Sequence, residues 1–193
     1  LLNGGKRVRA FLAIESSSIC GAPKTQALQA AAAIECMHSY SLVHDDLPAM
    51  DNDDLRRGKP TVHKKWNDAT AILVGDALQS LAFEILSSDA THPKAEVKLG
   101  LIKSMAKASG MEGMVGGHAM DISAETALKP LIIKEIVELQ SLKTGALIKW
   151  SAEVGARLTN QSITPFTKYA TSVGLAFQIQ DDILDIIGET KQT

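Results

Sequence analysis

Two distant segments of this chain repeat one spacing, and that spacing restricts the fold more than any other feature. Ile34, His38, Ser41 and Asp45 stand at i, i+4, i+7 and i+11, and Gly174, Gln178, Asp181 and Asp185 stand at the same offsets. On an α-helix such positions share one face. Each segment therefore reads as a helix whose face turns polar and ends in carboxylates, where an ordinary core helix carries leucine. The simplest arrangement sets the two stripes opposite each other across a cavity in a helical bundle. The remaining sequence agrees: stretches rich in Ala, Leu, Lys, Gln and Glu, with few alternating β-branched runs, predict an all-α fold.

Breaks between helices are expected at Gly21-Ala22-Pro23, from Asn52 to Pro60, at Thr91-His92-Pro93, around Gly116-Gly117, at Lys129-Pro130 and from Thr159 to Pro165. No linker, low-complexity tract or short repeat divides the chain. Residues 1–193 read as a single domain able to bury one substantial core. The chain starts without methionine and stops directly after its second acidic segment, so it is expected to be a fragment.

The charge balance excludes some partners. A formal net charge of -2 from 20 basic and 22 acidic residues favours neither nucleic acid nor an anionic membrane. The apolar runs look too short and too interrupted for stable membrane insertion. Cys20 and Cys36 have neither metal-ligand spacing nor a disulfide framework, which fits a reducing compartment. The acids, by contrast, are concentrated at Asp45, Asp46, Asp51, Asp53, Asp54, Asp181, Asp182 and Asp185.

Carboxylates packed this closely repel one another unless a multiply charged cation lies among them. Magnesium fits, because it takes hard oxygen ligands from one or two carboxylates, waters and a phosphate ester. Two such clusters point to a diphosphate held between metal ions. Asp181 and Asp185 are one turn apart and reach the same ion on a regular helix. Asp45 and Asp51 are about 120° out of phase and converge only if the helix is distorted. Pro48 supplies a cause. The plainer alternative for either cluster is a solvated helix end, or acids favoured by the positive N-terminal dipole. Asp53 and Asp54 read as local partners for Arg56 and Arg57. Lys6 and Arg9, spaced i, i+3 after Gly4-Gly5, could face an anion from one helical face, and Lys143-Thr144-Gly145 interrupts an apolar helical stretch.

These residues resemble a known family, the trans-isoprenyl diphosphate synthases or polyprenyl synthetases. The resemblance runs through nearly the whole chain: Gly4-Gly5-Lys6-Arg7-Val8-Arg9, His38 to Asp51, Asp54 to Thr61, Gly75-Asp76-Ala77-Leu78, Lys143-Thr144-Gly145 and Phe177 to Asp185. It lies nearest the bacterial farnesyl-producing branch. It implies long helices around a deep central substrate pocket, and a magnesium-dependent head-to-tail condensation of isopentenyl diphosphate with dimethylallyl or geranyl diphosphate. By resemblance, Asp45, Asp51, Asp181 and Asp185 hold three magnesium ions, with manganese as a substitute, and Asp46 and Asp182 support them. Arg56, Lys143 and Gln178 attend the allylic diphosphate, with Thr144 near its reactive end. Lys6, Arg9, His38 and Arg57 bind isopentenyl diphosphate. Tyr40 and Ser41 close the pocket floor and limit the product to the farnesyl length. A cytoplasmic homodimer is also implied.

Two positions depart from the family pattern. Ala10 stands where the family's Gly-Gly-Lys-Arg-x-Arg-Pro ends in proline, and His118 replaces glutamine in its Gly-Gly-Gln-x-x-Asp, before Asp121. A further family lysine, after the second motif, has no counterpart before Thr193. Other readings stay open here: a geranylgeranyl or longer-chain synthase, a terpene cyclase, a metal phosphohydrolase or a noncatalytic synthase subunit. Lys6, Arg9 and Arg57 argue against a cyclase, which needs no second diphosphate site.

Overall fold

The computed structural model describes residues 4–126 and 129–188; the side chains at 177–179, 181, 182 and 184–188 lie outside the description. In chain order the elements are α1 (Val8–Ile19), α2 (Lys24–Asp45), β1 (Leu55–Arg56), β2 (Lys59–Pro60), α3 (Val62–Lys65), α4 (Asp68–Ser87), α5 (Ala95–Ser109), α6 (Met114–Glu125), α7 (Ile133–Lys143), α8 (Gly145–Leu158) and α9 (Thr164–Gly188). The all-α expectation holds apart from one antiparallel hairpin, with Leu55 opposite Pro60 and Arg56 opposite Lys59. At its tip Arg57 and Gly58 both have positive φ, 55° and 71°. That conformation suits a two-residue hairpin and points Arg56 and Arg57 different ways.

Small residues let the helices approach closely. A Cβ at Gly155 of α8 would lie 2.3 Å from the backbone of Ser16 on α1. There Ser16 Oγ accepts from the Gly155 N–H at 3.3 Å and donates to Ser151 O at 3.3 Å. The core gathers Ala30, Ala33, Ile34 and Met37 of α2 with Leu86, Leu101, Met105, Trp150 and Val154. Trp150 meets its one polar need through Nε1–H to Ser104 Oγ at 3.0 Å. Cys20 and Cys36 are buried and unbridged.

Three expectations need correction. Gly116 and Gly117 do not break a helix; they lie inside α6, and the break falls earlier, between Ser109 and Met114. A Cβ on Gly117 would stand 2.2 Å from Lys143 N, so the glycine serves a helix crossing instead. Lys6 and Arg9 do not share a helical face. Gly4, Gly5 and Arg7 all have positive φ, which keeps Lys6 out of the helix that begins at Val8. Finally, α4 is long and apolar enough to cross a bilayer by length and composition, at mean hydropathy 1.4. Alanines and leucines between Asp76 and Glu84 raise that average, while the helix packs along α2 and leaves Ile72, Leu73 and Leu81 exposed.

Candidate active site

The first acidic motif sits at the end of a helix. α2 runs 22 residues and stops at Asp45. The chain then folds back through a turn in which the Asp51 N–H donates to Asp45 O at 2.9 Å and the Met50 N–H to Leu47 O at 2.9 Å. The distortion expected at Pro48 is thus a helix end followed by a loop, stronger than a kink or bulge, and it returns Asp51 to Asp45. Asp45 and Asp46 lie at the negative, C-terminal end of the helix dipole. The dipole therefore opposes them, and they need positive neighbours.

Protein side chains supply some. Arg56 Nε donates to Asp46 Oδ1 at 2.6 Å, and Arg56 also meets Asp53 at 3.3 Å. Asp54 pairs with Lys64 at 2.8 Å, outside the local pairing expected beside Arg56 and Arg57. Asp45 is 8% exposed, and His118 Nδ1 of α6 lies 3.1 Å from its Oδ1. The replacement of glutamine by histidine therefore falls directly against the first aspartate. Lys143, at the last position of α7, pairs with Asp121 of α6. Burial opposes the Lys143 charge, but the bond to Asp121 and the charges of Asp121, Asp45 and Asp51 hold its ammonium above the usual range. Desolvation and then Asp45 push the Asp51 carboxyl up, with Lys143 working against them. Burial pushes Asp46 up, and Arg56 offsets part of that.

A second, cationic cluster lies about 10 Å back along α2, since His38 precedes Asp45 by seven residues at 1.5 Å rise each. Arg9 Nη1 donates to His38 Nε2 at 3.2 Å, which leaves the ring proton on Nδ1. Burial, followed by Arg9, Arg57, Arg56 and Arg7, pushes His38 down to about 3. His38 is therefore neutral at pH 7 and offers an N–H among cations. Arg57 reaches back to the Gly4 carbonyl. Gly5 permits this approach, because a Cβ there would lie 2.3 Å from the guanidinium. Lys6 is exposed ahead of α1.

Tyr40 packs edge-on against His44, with ring centroids 5.1 Å apart at 77°. His44 Nε2–H in turn donates to the Ile72 carbonyl of α4 at 3.0 Å, and the ring fills the space a Gly75 Cβ would need. Ser41 is buried and bonds to the His38 carbonyl at 2.9 Å. Thr144 forms the joint between α7 and α8. The second acidic motif lies on the helical backbone of α9, as expected. The side chains of Gln178, Asp181, Asp182 and Asp185, and with them the expected facing of the two stripes, lie outside the description. A cavity of about 460 Å³ between α5, α8 and the segment before α9 contains none of these groups.

Asp121 had no role in the sequence reading, although its offset of three from His118 places both on one face of α6. Its signal was the motif spacing. What spacing could not supply was Lys143, which comes from another helix.

An all-α bundle with carboxylates gathered at a helix end beside an arginine cluster belongs to a defined class. The polyprenyl synthetase family model matches residues 1–193, and the chain belongs to that family. It is 49% identical over 195 residues to the farnesyl diphosphate synthase of Escherichia coli K12, covering 98% of this chain and 64% of that protein. The chain thus spans somewhat less than two thirds of that relative's length. Among solved structures, an FPP/GFPP synthase from Zymomonas mobilis aligns at TM-score 0.93 and 51% identity, over 95% of this chain and 67% of the other. The geranyltransferase of Helicobacter pylori, complexed with magnesium and isoprenyl diphosphate, aligns at TM-score 0.87 and 36% identity, over 96% and 63%.

Proposed function

We propose that the protein containing this chain is a trans-prenyltransferase that makes farnesyl diphosphate from isopentenyl diphosphate and dimethylallyl or geranyl diphosphate. One observation carries the reading: α2 presents an acidic cluster and a cationic cluster about 10 Å apart, room for two diphosphates with their reacting carbons between them. The acidic cluster suits magnesium. Its donors are hard oxygens, its helix dipole is unfavourable to them, and Asp51 is already pushed toward protonation. Asp45 and Asp51, with Asp181 and Asp185, would hold three ions, for which manganese can substitute. Bound there, the metal supplies charge stabilisation for a departing diphosphate.

The chain's own groups do the rest. Lys143 and Arg56 face the allylic diphosphate, Gln178 attends it, and Thr144 lies near the reactive carbon. Arg9, His38, Arg57 and Lys6 hold isopentenyl diphosphate, with neutral His38 donating its Nδ1–H. Holding both substrates orients the double bond of isopentenyl diphosphate toward the allylic carbon, so that the cation meets the alkene before water. No side-chain general base is invoked; released diphosphate takes the proton. Tyr40, backed by His44 against α4, limits the tail at C15. The exposed apolar residues of α4 support a homodimer, and the reduced cysteines support a cytoplasmic location.

The test is product analysis of the full-length protein given dimethylallyl diphosphate, isopentenyl diphosphate and magnesium. A C15 diphosphate supports the reading. Cyclised hydrocarbon, or phosphate release without carbon-carbon bond formation, overturns it; a C20 product overturns the farnesyl length and the role of Tyr40 and leaves the prenyltransferase assignment standing.

A further inference from the structure

Glu35 lies on α2, outside both clusters, and is only 8% exposed. Arg7 Nη1 donates to its Oε2 at 2.6 Å, and the Ala10 backbone N–H donates to its Oε1 at 3.2 Å. α1 has no side-chain cap of its own. Its first-turn N–H groups therefore lack intrahelical acceptors. Glu35 supplies one from a neighbouring helix, and sets a negative charge at the positive end of the α1 dipole. Proline at residue 10 would have no N–H to give. The departure at Ala10 thus has a partner, and it ties the start of α1 to α2.

What Glu35 anchors is the segment that assembles the cationic cluster. Between Gly4 and Arg7 the backbone takes positive φ at 87°, 109° and 52° for Gly4, Gly5 and Arg7. Arg57 is clasped there by the Gly4 carbonyl, and Arg9, in the first turn of α1 that this segment leads into, meets His38. A free segment of this kind samples many conformations, and ordering it costs conformational entropy at every residue. Two bonds to one buried carboxylate select the single shape that brings Arg9 and Arg57 together. We propose that Glu35 is a positioning residue: through Arg7 and Ala10 it presets the segment that aims Arg9 and Arg57 at the second diphosphate. This rests on the assignment of isopentenyl diphosphate to that cluster.

A merely structural ion pair would change stability and leave substrate discrimination alone. The test therefore separates the two. In the full-length protein, E35Q keeps an oxygen acceptor but removes the charge, and R7Q removes the partner from the more exposed side. Steady-state kinetics, calorimetric binding of isopentenyl diphosphate and thermal unfolding are measured for each variant and for the pair combined. Each single variant is expected to raise KM for isopentenyl diphosphate about tenfold, the scale of one charge-assisted hydrogen bond, with less than about a twofold change for the allylic substrate. The double variant should be no worse than the worse single, because both break one clasp. If E35Q fails to fold, R7Q reads the same effect. Wild-type protein that binds isopentenyl diphosphate while both variants keep its KM overturns the positioning role alone. Wild-type protein without saturable isopentenyl diphosphate binding overturns the substrate assignment, and this proposal with it. Equal increases for both substrates, or additive effects in the double variant, also overturn it.

Discussion

Gly117→Ala should damage catalysis through geometry, without touching a charged group. Its Cβ would stand 2.2 Å from Lys143 N and 2.5 Å from Lys143 Cα, where ordinary contact begins at 3.4 Å. Backbone cannot swing aside as a flexible side chain can, so α7 must withdraw from α6 by roughly 1 Å. Overpacking of this kind costs about 1–3 kcal/mol. The same shift carries Lys143 away from Asp121 and the first aspartates, and misplacing a substrate-positioning group by about 1 Å can cost on the order of a hundredfold in rate. Chemical denaturation and steady-state turnover of the full-length variant measure both losses. Gly100→Ala is the control: it lies in α5, its Cβ would meet nothing within 4 Å, and it should stabilise the helix by about 0.5–1 kcal/mol with rate unchanged. If Gly117→Ala matched wild type in stability and turnover, the close α6–α7 crossing and the positioning it gives Lys143 would both be wrong.

Asp45→Ala and Asp51→Asn should each abolish turnover, as should chelation, yet Asp51→Asn should not lower metal-free thermal stability, because it removes a carboxylate held near Asp45 at a cost. A lowered midpoint in chelator would contradict that. His38 gives a pH signature: its folded pKa lies near 3 and its unfolded one near 6.5, so the unfolded chain takes up the proton first and stability falls as pH drops through that window. Between pH 7 and pH 5 the loss should be about 1–2 kcal/mol, and His38→Gln should lack it when unfolding is followed across that range. Tyr40→Ala should lengthen the product beyond C15 at a stability cost of about 2–3 kcal/mol for a half-buried ring. A stable, active variant that still made only C15 would assign chain length to another residue.

Local features were legible in the sequence, and contacts between distant elements were not. Gly21 to Pro23, Thr91 to Pro93 and Lys143 to Gly145 separate helices as their backbone preferences require. The polar face from His38 to Asp45 survives as drawn, because period 3.6 is a property of one segment. Gly116-Gly117 misled because a helix breaker and a close-packing glycine look alike until the partner helix is known. The face shared by Lys6 and Arg9 failed for a related reason: periodicity presumes a helix, and Arg7 takes the left-handed region before the helix starts. Two-residue strands carry too little pattern to be seen. His118, Asp121 and Glu35 needed partners from other helices; a motif marked the positions of the first two, and Glu35 left a trace only through its partner Ala10, a departure from another motif.

The central claim is that α2 holds two diphosphates apart, and the direct measurement is the substrate-by-substrate kinetics of Arg9→Ala and Lys143→Ala in the full-length protein. Arg9→Ala should raise KM for isopentenyl diphosphate by about tenfold or more and leave the allylic substrate nearly unaffected. Lys143→Ala should do the reverse, weakening allylic binding or ionisation. If both changes impaired both substrates equally, the two clusters would form a single anion site, and the division along α2 would be refuted.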